Sequence, residues 1–209
     1  MNLRDTFYLP RAWRYSGAKT SNACLPLVYG DLTDGDEGVW SLPCIDTANF
    51  IYCYAAFPVL SVAEGNAVSI YADGALVEPS GYTFIESTDY QGQGAIATVA
   101  FAADQANKVI SARGKGKAAG GVLIENIVEI VDDILVGQNG FVGADLYEAT
   151  RKAAAAQVFD AQGYKAAGVI EGDVVLWDLI RDMMGSFLGS AYLNGEGRLV
   201  LEIDTGLII

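Results

Sequence analysis

Apolar residues recur at the three-and-four spacing of an α-helix between Ile124 and Leu135, and acidic residues occupy the opposite face. Immediately upstream, residues 113–121 contain four glycines and three basic residues. Because glycine loses more conformational entropy on ordering than any other residue, this composition favours a connector over a regular element. We therefore predict a glycine-rich hinge at residues 113–121 that separates two domains.

Short extended segments separated by turn residues dominate the chain before the predicted hinge. Asp73-Gly74 lies between two apolar stretches, which is typical of a tight β-hairpin because glycine adopts positive φ without strain. Aromatic and β-branched residues at 82–85 and apolar residues at 95–102 favour further strands. Several short strands at a spacing of about ten residues predict an all-β, sandwich- or barrel-like domain over residues 24–112.

Helical and extended patterns alternate after the predicted hinge. Residues 145–161 are rich in alanine and predict a helix, with Asp145 as its N-cap or as compensation for the dipole at its N-terminus. Residues 173–188 are apolar nearly all round, which is typical of a helix buried on more than one side. A turn at 194–197 joins two strands into a C-terminal hairpin. The predicted fold class is therefore α+β, with the β domain followed by a small α+β domain over residues 122–209.

The two ends of the chain supply candidates for contacts between subunits. Residues 1–23 mix aromatic and basic side chains without a sustained period, and we predict an arm that lies partly across a neighbouring subunit. An extended apolar C-terminal segment can be buried by adding a strand to an exposed sheet edge, in a neighbour or in its own domain. The interface candidates are Phe7, Tyr8, Arg11, Trp13, Arg14, Leu207, Ile208 and Ile209.

Composition and charge narrow the classes of partner. The net charge is −13, from 26 acidic against 13 basic residues, and nucleic-acid binding needs clustered Lys and Arg, so nucleic acid is not an expected partner. No apolar run reaches the roughly 18 residues that span a bilayer. The N-terminal residues lack the apolar core of a signal peptide, and we expect synthesis in a cytosol. An apolar fraction of 52% indicates surface that partner subunits cover.

The residues that most often carry enzyme chemistry are scarce. The chain contains no histidine, which removes the commonest general base and metal ligand. Cys24, Cys44 and Cys53 lie in apolar surroundings and are predicted as buried hydrophobic residues rather than zinc ligands. The acidic turn at residues 30–38 lacks the spacing of an EF-hand and is predicted as a solvated hairpin tip. We expect no catalysis, no cofactor and no metal site.

The order of elements over roughly residues 60–204 resembles structural proteins of tailed bacteriophages. The segment VSIYADGALVEPSGYTFIESTDY is similar to a β module in which a strand with a D-G turn precedes a GYTF-like strand. In these proteins an apolar strand and a GKG exit then follow. The segments IENIVEIVDDILVG, DVVLWDLIRDMMGSF and LNGEGRLVLEID resemble part of phage tail-hub and tip-attachment proteins.

This resemblance implies a non-enzymatic structural subunit of a tail tip or baseplate, arranged around the tail axis as a hub or hub-associated protein. Its partners would be copies of itself in a ring and other tail proteins, with no membrane in the assembled resting state. Its location would be the virion tail, after assembly in the host bacterial cytoplasm.

Two alternatives remain open at the level of sequence. The first is a carbohydrate- or receptor-binding module of a phage tail, with Trp40, Tyr71, Tyr82 and Tyr90 as candidates for stacking on a sugar. The second and weaker alternative is a hydrolase that uses the acidic pairs Asp132/Asp133 or Glu171/Asp173.

Overall fold

The computed structural model describes residues 25–90, 94–105, 107–172 and 174–204. These residues form an α+β fold with a strand-rich N-terminal part, as the sequence predicted. They divide into two compact units. The first consists of residues 25–124 with 167–172, and the second of residues 125–166 with 174–204.

The first unit is built from short strands and two single turns of 3-10 helix, Val62–Glu64 and Pro79–Gly81. Its strands up to residue 124 are β1 (Leu27–Tyr29), β2 (Asp31–Leu32), β3 (Trp40–Ser41), β4 (Cys44–Asp46), β5 (Ile51–Ala55), β6 (Ser69–Ala72), β7 (Ala75–Leu76), β8 (Tyr82–Asp89), β9 (Ala95–Phe101), β10 (Ile110–Lys115), β11 (Ala118–Ala119) and β12 (Val122–Leu123).

Two antiparallel sheets share the core of this unit. One has the order β2-β10-β6-β7, with β3 also pairing with β10, and the other has the order β4-β5-β9-β8. Trp40 of the first sheet meets Tyr54 of the second edge-on, with ring centroids 5.0 Å apart. Trp40 Nε1 also donates a hydrogen bond to the Tyr54 carbonyl oxygen at 3.1 Å. Asp73 and Gly74 form the predicted turn between β6 and β7, both with positive φ.

The prediction of a hinge at residues 113–121 is wrong. The end of β10 and the β11–β12 hairpin occupy most of this stretch, so its glycines lie inside the first unit. The Gly116 N–H donates to the Gly30 carbonyl at 2.9 Å, and a side chain on Gly116 would clash with the Val28 carbonyl. Glycine therefore serves a close approach of two backbones here rather than flexibility. The first crossing between units falls at residues 124–125.

A second correction concerns the predicted α+β domain at residues 122–209. Strand β13 (Gly168–Ile170) pairs antiparallel with β1, in the register Leu27↔Ile170, Val28↔Val169 and Tyr29↔Gly168. Residues 167–172 consequently belong to the first unit, although the chain reaches them after leaving it. Periodicity predicted this strand but not its partner.

The second unit combines helices with one hairpin. Its elements are α1 (Ile127–Asp132), which continues as a π-helix (Asp133–Gln138), α2 (Gly143–Leu146), α3 (Ala149–Ala161), α4 (Leu176–Gly185), β14 (Gly189–Leu193) and β15 (Leu199–Ile203). Helix α4 buries Leu176, Ile180 and Met184, which recur every four residues. It therefore buries one line of side chains, not nearly all of its surface as the sequence suggested.

The predicted helix at residues 145–161 is interrupted. Helices α2 and α3 are separated by an extended segment in which Tyr147 forms a parallel bridge with Leu199 of β15. The N-cap of α3 is Glu148 rather than Asp145, because the Glu148 side chain accepts a hydrogen bond from the backbone three residues later at 2.7 Å. This interruption places the start of α3 beside β15.

Candidate functional site

A groove of about 560 Å³ lies between α3 and the open end of the β14–β15 hairpin. Helix α3 contributes four residues at the spacing of one helix face, namely Arg151, Ala154, Ala155 and Val158. The hairpin contributes residues 188–190 and 201–204. Because two of the four helix positions are alanine, the helix leaves space beside the strand.

Leu188 and Gly189 shape the rim of the groove. Leu188 has φ +56° and is 68% exposed, which combines a strained backbone with an apolar side chain in solvent. Gly189 has an ordinary backbone, but a Cβ there would lie 2.8 Å from the Glu202 carbonyl oxygen and 2.9 Å from that of Met184. Gly189 therefore allows the close approach of neighbouring backbone carbonyls. Leu188, in contrast, has a positive φ that glycine would adopt without strain.

Within the described ranges, the edge of β15 that faces away from β14 accepts one backbone hydrogen bond, at Leu199. Asp204 N–H donates to the Leu188 carbonyl at 3.1 Å, so the antiparallel alternation turns the backbone groups of Leu199, Leu201 and Ile203 toward the opposite edge. Glu148 N–H donates to the Leu199 carbonyl on that edge at 3.0 Å. Beyond Leu199, no other described residue hydrogen-bonds to this edge, and Leu201 and Ile203 both line the groove.

Charged and polar groups sit beside the apolar part of the groove. Arg151 Nη1 lies 2.9 Å from Glu202 Oε1, and the Tyr192 hydroxyl donates to the same oxygen at 3.0 Å. This hydrogen bond raises the pKa of the Tyr192 phenol. The groove therefore combines aliphatic side chains with charged and polar groups at its margin, a combination found at protein-docking surfaces.

A second cluster joins Asp132, Tyr147 and Lys152. Lys152 Nζ lies 2.7 Å from Asp132 Oδ1 and 4.4 Å from the centre of the Tyr147 ring. Burial raises the pKa of the Tyr147 phenol, and the neighbouring carboxylate of Asp132 raises it further. None of the three side chains lines the groove. The cluster anchors the junction of α1 with its π-helical continuation to the start of α3, because the lysine compensates the carboxylate.

The interface candidates from the sequence lie outside the described residues. This applies to Phe7, Tyr8, Arg11, Trp13, Arg14, Leu207, Ile208 and Ile209, and also to Cys24.

The groove was not predicted from sequence. The alanine run in α3 was the one available signal, because it indicates a helix face that a neighbouring element can approach closely.

Two of the four candidates for sugar stacking are buried. Trp40 is 2% and Tyr71 5% exposed. Tyr82 and Tyr90 are half-buried, and their hydroxyls donate to the Val68 carbonyl at 3.3 Å and to Asp46 Oδ2 at 2.9 Å. The four aromatic side chains therefore do not form an exposed platform.

The acidic turn and the cysteines have structural roles. Asp31 accepts a hydrogen bond from the Thr33 hydroxyl at 2.6 Å, and its other oxygen lies 3.5 Å from Lys115 Nζ. Within the described ranges, acidic and cysteine side chains form no cluster that could hold a metal ion. Cys53 is a buried free thiol, as predicted, and burial raises its pKa, whereas Cys44 is half-buried.

Comparison of the chain with known protein families, curated proteins and solved structures found no match. Among the helices of the described ranges, none is long and apolar enough to cross a membrane.

Proposed function

We propose that the chain is a non-enzymatic structural subunit of a bacteriophage tail tip or baseplate, where it assembles around the tail axis as a hub or hub-associated protein. Its partners are other copies of itself and neighbouring tail proteins. It is assembled in the cytoplasm of the host bacterium and carried in the virion, without a cofactor, without a nucleic-acid partner and without a membrane partner in the assembled resting state.

The groove beside α3 is the observation that carries this proposal. Its walls bring together aliphatic side chains of α3, the strand residues Leu201 and Ile203, and the exposed Leu188. Exposed aliphatic side chains beside a groove are features of protein-docking surfaces, because a partner chain covers the apolar area. The order of elements over residues 60–204, which resembles that of tail-hub proteins, favours the same role.

Immunogold labelling of tailed particles tests the proposal. Antibodies raised against the purified chain are applied to particles from the bacterial source of the gene, and mass spectrometry measures the copy number of the chain per particle. We expect label at the distal end of the tail and a fixed copy number. Antibody absorbed with purified chain is the control. Particles that lack the chain, or label on the capsid, would refute the proposal.

The carbohydrate- or receptor-binding alternative is weakened by the burial of Trp40 and Tyr71, because stacking on a sugar needs an open ring face. Binding of the isolated chain to glycans or to host cells, with loss of binding on Tyr82→Ala, would favour this alternative. The structural-subunit proposal expects no such binding.

A further inference from the structure

We propose that two copies of this chain pair through Leu188, with the side chain of each copy occupying the groove beside α3 of the other. The contact is a two-fold dimer, in which each copy gives and receives the same side chain. The inference deepens the proposed function, and it rests on that function for the expectation that copies assemble. It names the surface through which two copies pair.

The first argument is the backbone conformation of Leu188. This residue lies between the end of α4 at Gly185 and the start of β14 at Gly189, in the left-handed conformation that glycine usually adopts after a helix. Its N–H donates to the Gly185 carbonyl at 3.3 Å, and its carbonyl accepts from the Asp204 N–H at 3.1 Å. The backbone is therefore held on both sides in a conformation that is unfavourable for leucine.

The second argument is the exposure of the Leu188 side chain. It is 68% exposed, whereas Leu176, Ile180 and Met184 of the preceding helix are buried. Burial within one copy therefore does little to offset the unfavourable backbone. Strain of this kind points to a function outside the stability of the single chain. A second copy that covers the side chain supplies the burial that one copy lacks.

The third argument is the fit between this side chain and the groove. The groove volume of about 560 Å³ lies within the range of about 300–1,000 Å³ for sites that hold a whole small ligand, so a leucine side chain from outside can enter. Ala154 and Val158 of α3, with Leu201 and Ile203 of β15, offer aliphatic contacts. The small side chain of Ala154 leaves space on the helix wall.

The position of Leu188 favours a two-fold contact over a head-to-tail contact. Leu188 lines the groove of its own copy, so the projecting side chain and the receiving surface share one face of the second unit. A two-fold axis brings one face against itself and makes the same contact twice, whereas a head-to-tail contact uses two different faces. Because a two-fold contact is closed, it pairs copies, and contacts around a ring would use other surfaces.

Charge favours a second copy over a basic partner. Arg151, Glu202 and Asp204 are the charged residues that line the groove, and Arg151 lies 2.9 Å from Glu202. The lining therefore carries little of the net charge of −13. A basic partner would gain little electrostatic attraction here, whereas two copies of like charge need a contact region with little net charge.

Sedimentation velocity on four variants tests the contact. Leu188→Gly removes the side chain and relieves the positive φ, and its matched control, Leu188→Met, keeps an apolar side chain of similar volume. Ala154→Arg places a long charged side chain in the groove. Its control is Ala153→Arg, because Ala153 is exposed on the same helix but does not line the groove.

We expect the wild type and both controls to form dimers. Leu188→Gly and Ala154→Arg should weaken dimerisation at least ~100-fold, because each loses the burial of two leucine side chains. Thermal melts separate a lost contact from unfolding, and the Leu188→Gly monomer should melt no lower than the wild-type monomer. A folded Leu188→Gly chain that dimerises as the wild type does would overturn the inference. So would a wild-type chain that forms no dimer.

Mixing the two weakened variants tests the two-fold arrangement. Leu188→Gly keeps an open groove and Ala154→Arg keeps Leu188, so a mixed dimer retains one of the two leucine contacts. We expect the mixed dimer to be tighter than the dimer of either variant alone. A mixture no tighter than its components would contradict the arrangement. Wild-type oligomers above the dimer that Leu188→Gly reduces directly to monomers would also contradict it.

These outcomes are separate from those of the proposed function. A wild-type chain that labels the tail tip but forms no pairs overturns the Leu188 contact alone. A dimer that depends on Leu188, together with particles that lack the chain, supports the contact and overturns the tail-tip role.

Discussion

Tyr54 is fully buried between the two large sheets of the first unit, and its ring contacts Trp40 and Phe84 edge-on, with both centroid distances at 5.0 Å. Its hydroxyl donates to the Lys115 carbonyl at 3.3 Å. Burial raises the pKa of this phenol, so it remains protonated and continues to donate. Strand β10 lies so close to this hydroxyl that a Cβ on Gly114 would clash with it.

We expect Gly114→Ala to lower the free energy of unfolding by about 2–4 kcal/mol, from the clash together with a positive φ of 153°. Tyr54→Phe alone should cost about 1 kcal/mol through the lost hydrogen bond. In the Gly114→Ala background, however, it should recover part of the loss. Urea denaturation of the four proteins in this double-mutant cycle measures the coupling.

Gly120→Ala is the control for backbone strain in this cycle. Gly120 has φ +58°, and a Cβ there would meet nothing within 4 Å. Its replacement should therefore cost only about 1–2 kcal/mol, and Tyr54→Phe should not alter that cost. Additive effects of Gly114→Ala and Tyr54→Phe would show that the hydroxyl does not restrict β10.

Substitutions of Leu188 distinguish the effect of its backbone conformation on stability from the effect of its exposed side chain on association. Leu188→Gly should be more stable than Leu188→Ala by about 1 kcal/mol, because only glycine relieves the positive φ. Both variants should weaken self-association equally, since both remove the exposed side chain. Thermal melts and sedimentation measure the two effects. Equal stability of the variants would mean that the backbone at Leu188 is not strained.

Among the elements, the β4–β5 turn depends on one carboxylate. Asp46 accepts hydrogen bonds from the Asn49 side chain at 2.8 Å, from the Ala48 and Asn49 backbone N–H groups, and from the Tyr90 hydroxyl. The bond from the Asn49 side chain, with those from the backbone and Tyr90, lowers the pKa of Asp46 below its ordinary value of 3.8. The ionised carboxylate accepts these hydrogen bonds more strongly than the neutral carboxyl group does.

We expect Asp46→Ala to destabilise the protein at neutral pH. A depressed folded-state pKa gives stability that is present above pH 3.8 and is lost as the pH falls through the folded-state pKa. The difference in unfolding free energy between wild type and Asp46→Ala should therefore be constant near neutrality and shrink below about pH 4. Urea denaturation across pH 2.5–7 measures it. A difference that grows on acidification would contradict the assignment.

Element positions followed from local patterns more reliably than the contacts between them. The Asp73-Gly74 turn, strand β8 and the hairpin around residues 194–197 were predicted correctly, because alternation and turn chemistry are local. The prediction of a hinge was wrong, because a high glycine content indicates conformational freedom but does not show whether a glycine instead allows a close backbone contact. Only the position of β1 shows that Gly116 serves a close approach of two backbones.

The groove escaped prediction for a related reason. The small side chains of α3 matter only after the break at Tyr147 has placed α3 beside β15. The positive φ of Leu188 also has no counterpart in the sequence, where glycine or asparagine is the usual indication of such a backbone. Tertiary context decided both features.

At the scale of the whole molecule, we expect residues 25–124 alone to be less stable than the same fragment with residues 167–172 attached through a Gly/Ser linker. The shorter fragment lacks β13 and leaves β1 without one neighbour, although Leu27, Val28 and Tyr29 are buried in the complete chain. The difference should be about 2–4 kcal/mol, the scale of exposing one or two apolar side chains. Urea denaturation of both fragments measures it, and equal stability would mean that β13 is dispensable.

The net charge predicts how association responds to salt. Copies that each carry a charge of −13 repel one another, and salt shortens the Debye length from about 30 Å at 10 mM to about 8 Å at 150 mM. We expect self-association to strengthen over this range, because salt screens the repulsion between copies of like charge. Sedimentation at several salt concentrations tests this, and weaker association at higher salt would indicate that ion pairs hold the copies together.

The pairing of β1 with β13 also determines when the first unit can be completed during translation. A ribosome adds about 5–20 residues per second, and N-terminal domains usually fold as they emerge. Here the first unit remains one strand short until Ile170 has left the exit tunnel, by which time the helices α1 and α3 have already emerged. The nascent chain therefore holds an exposed edge at β1 for seconds, and on a polysome neighbouring nascent chains carry the same edge. Slowing translation after residue 124 should lengthen that interval and increase aggregation of the product.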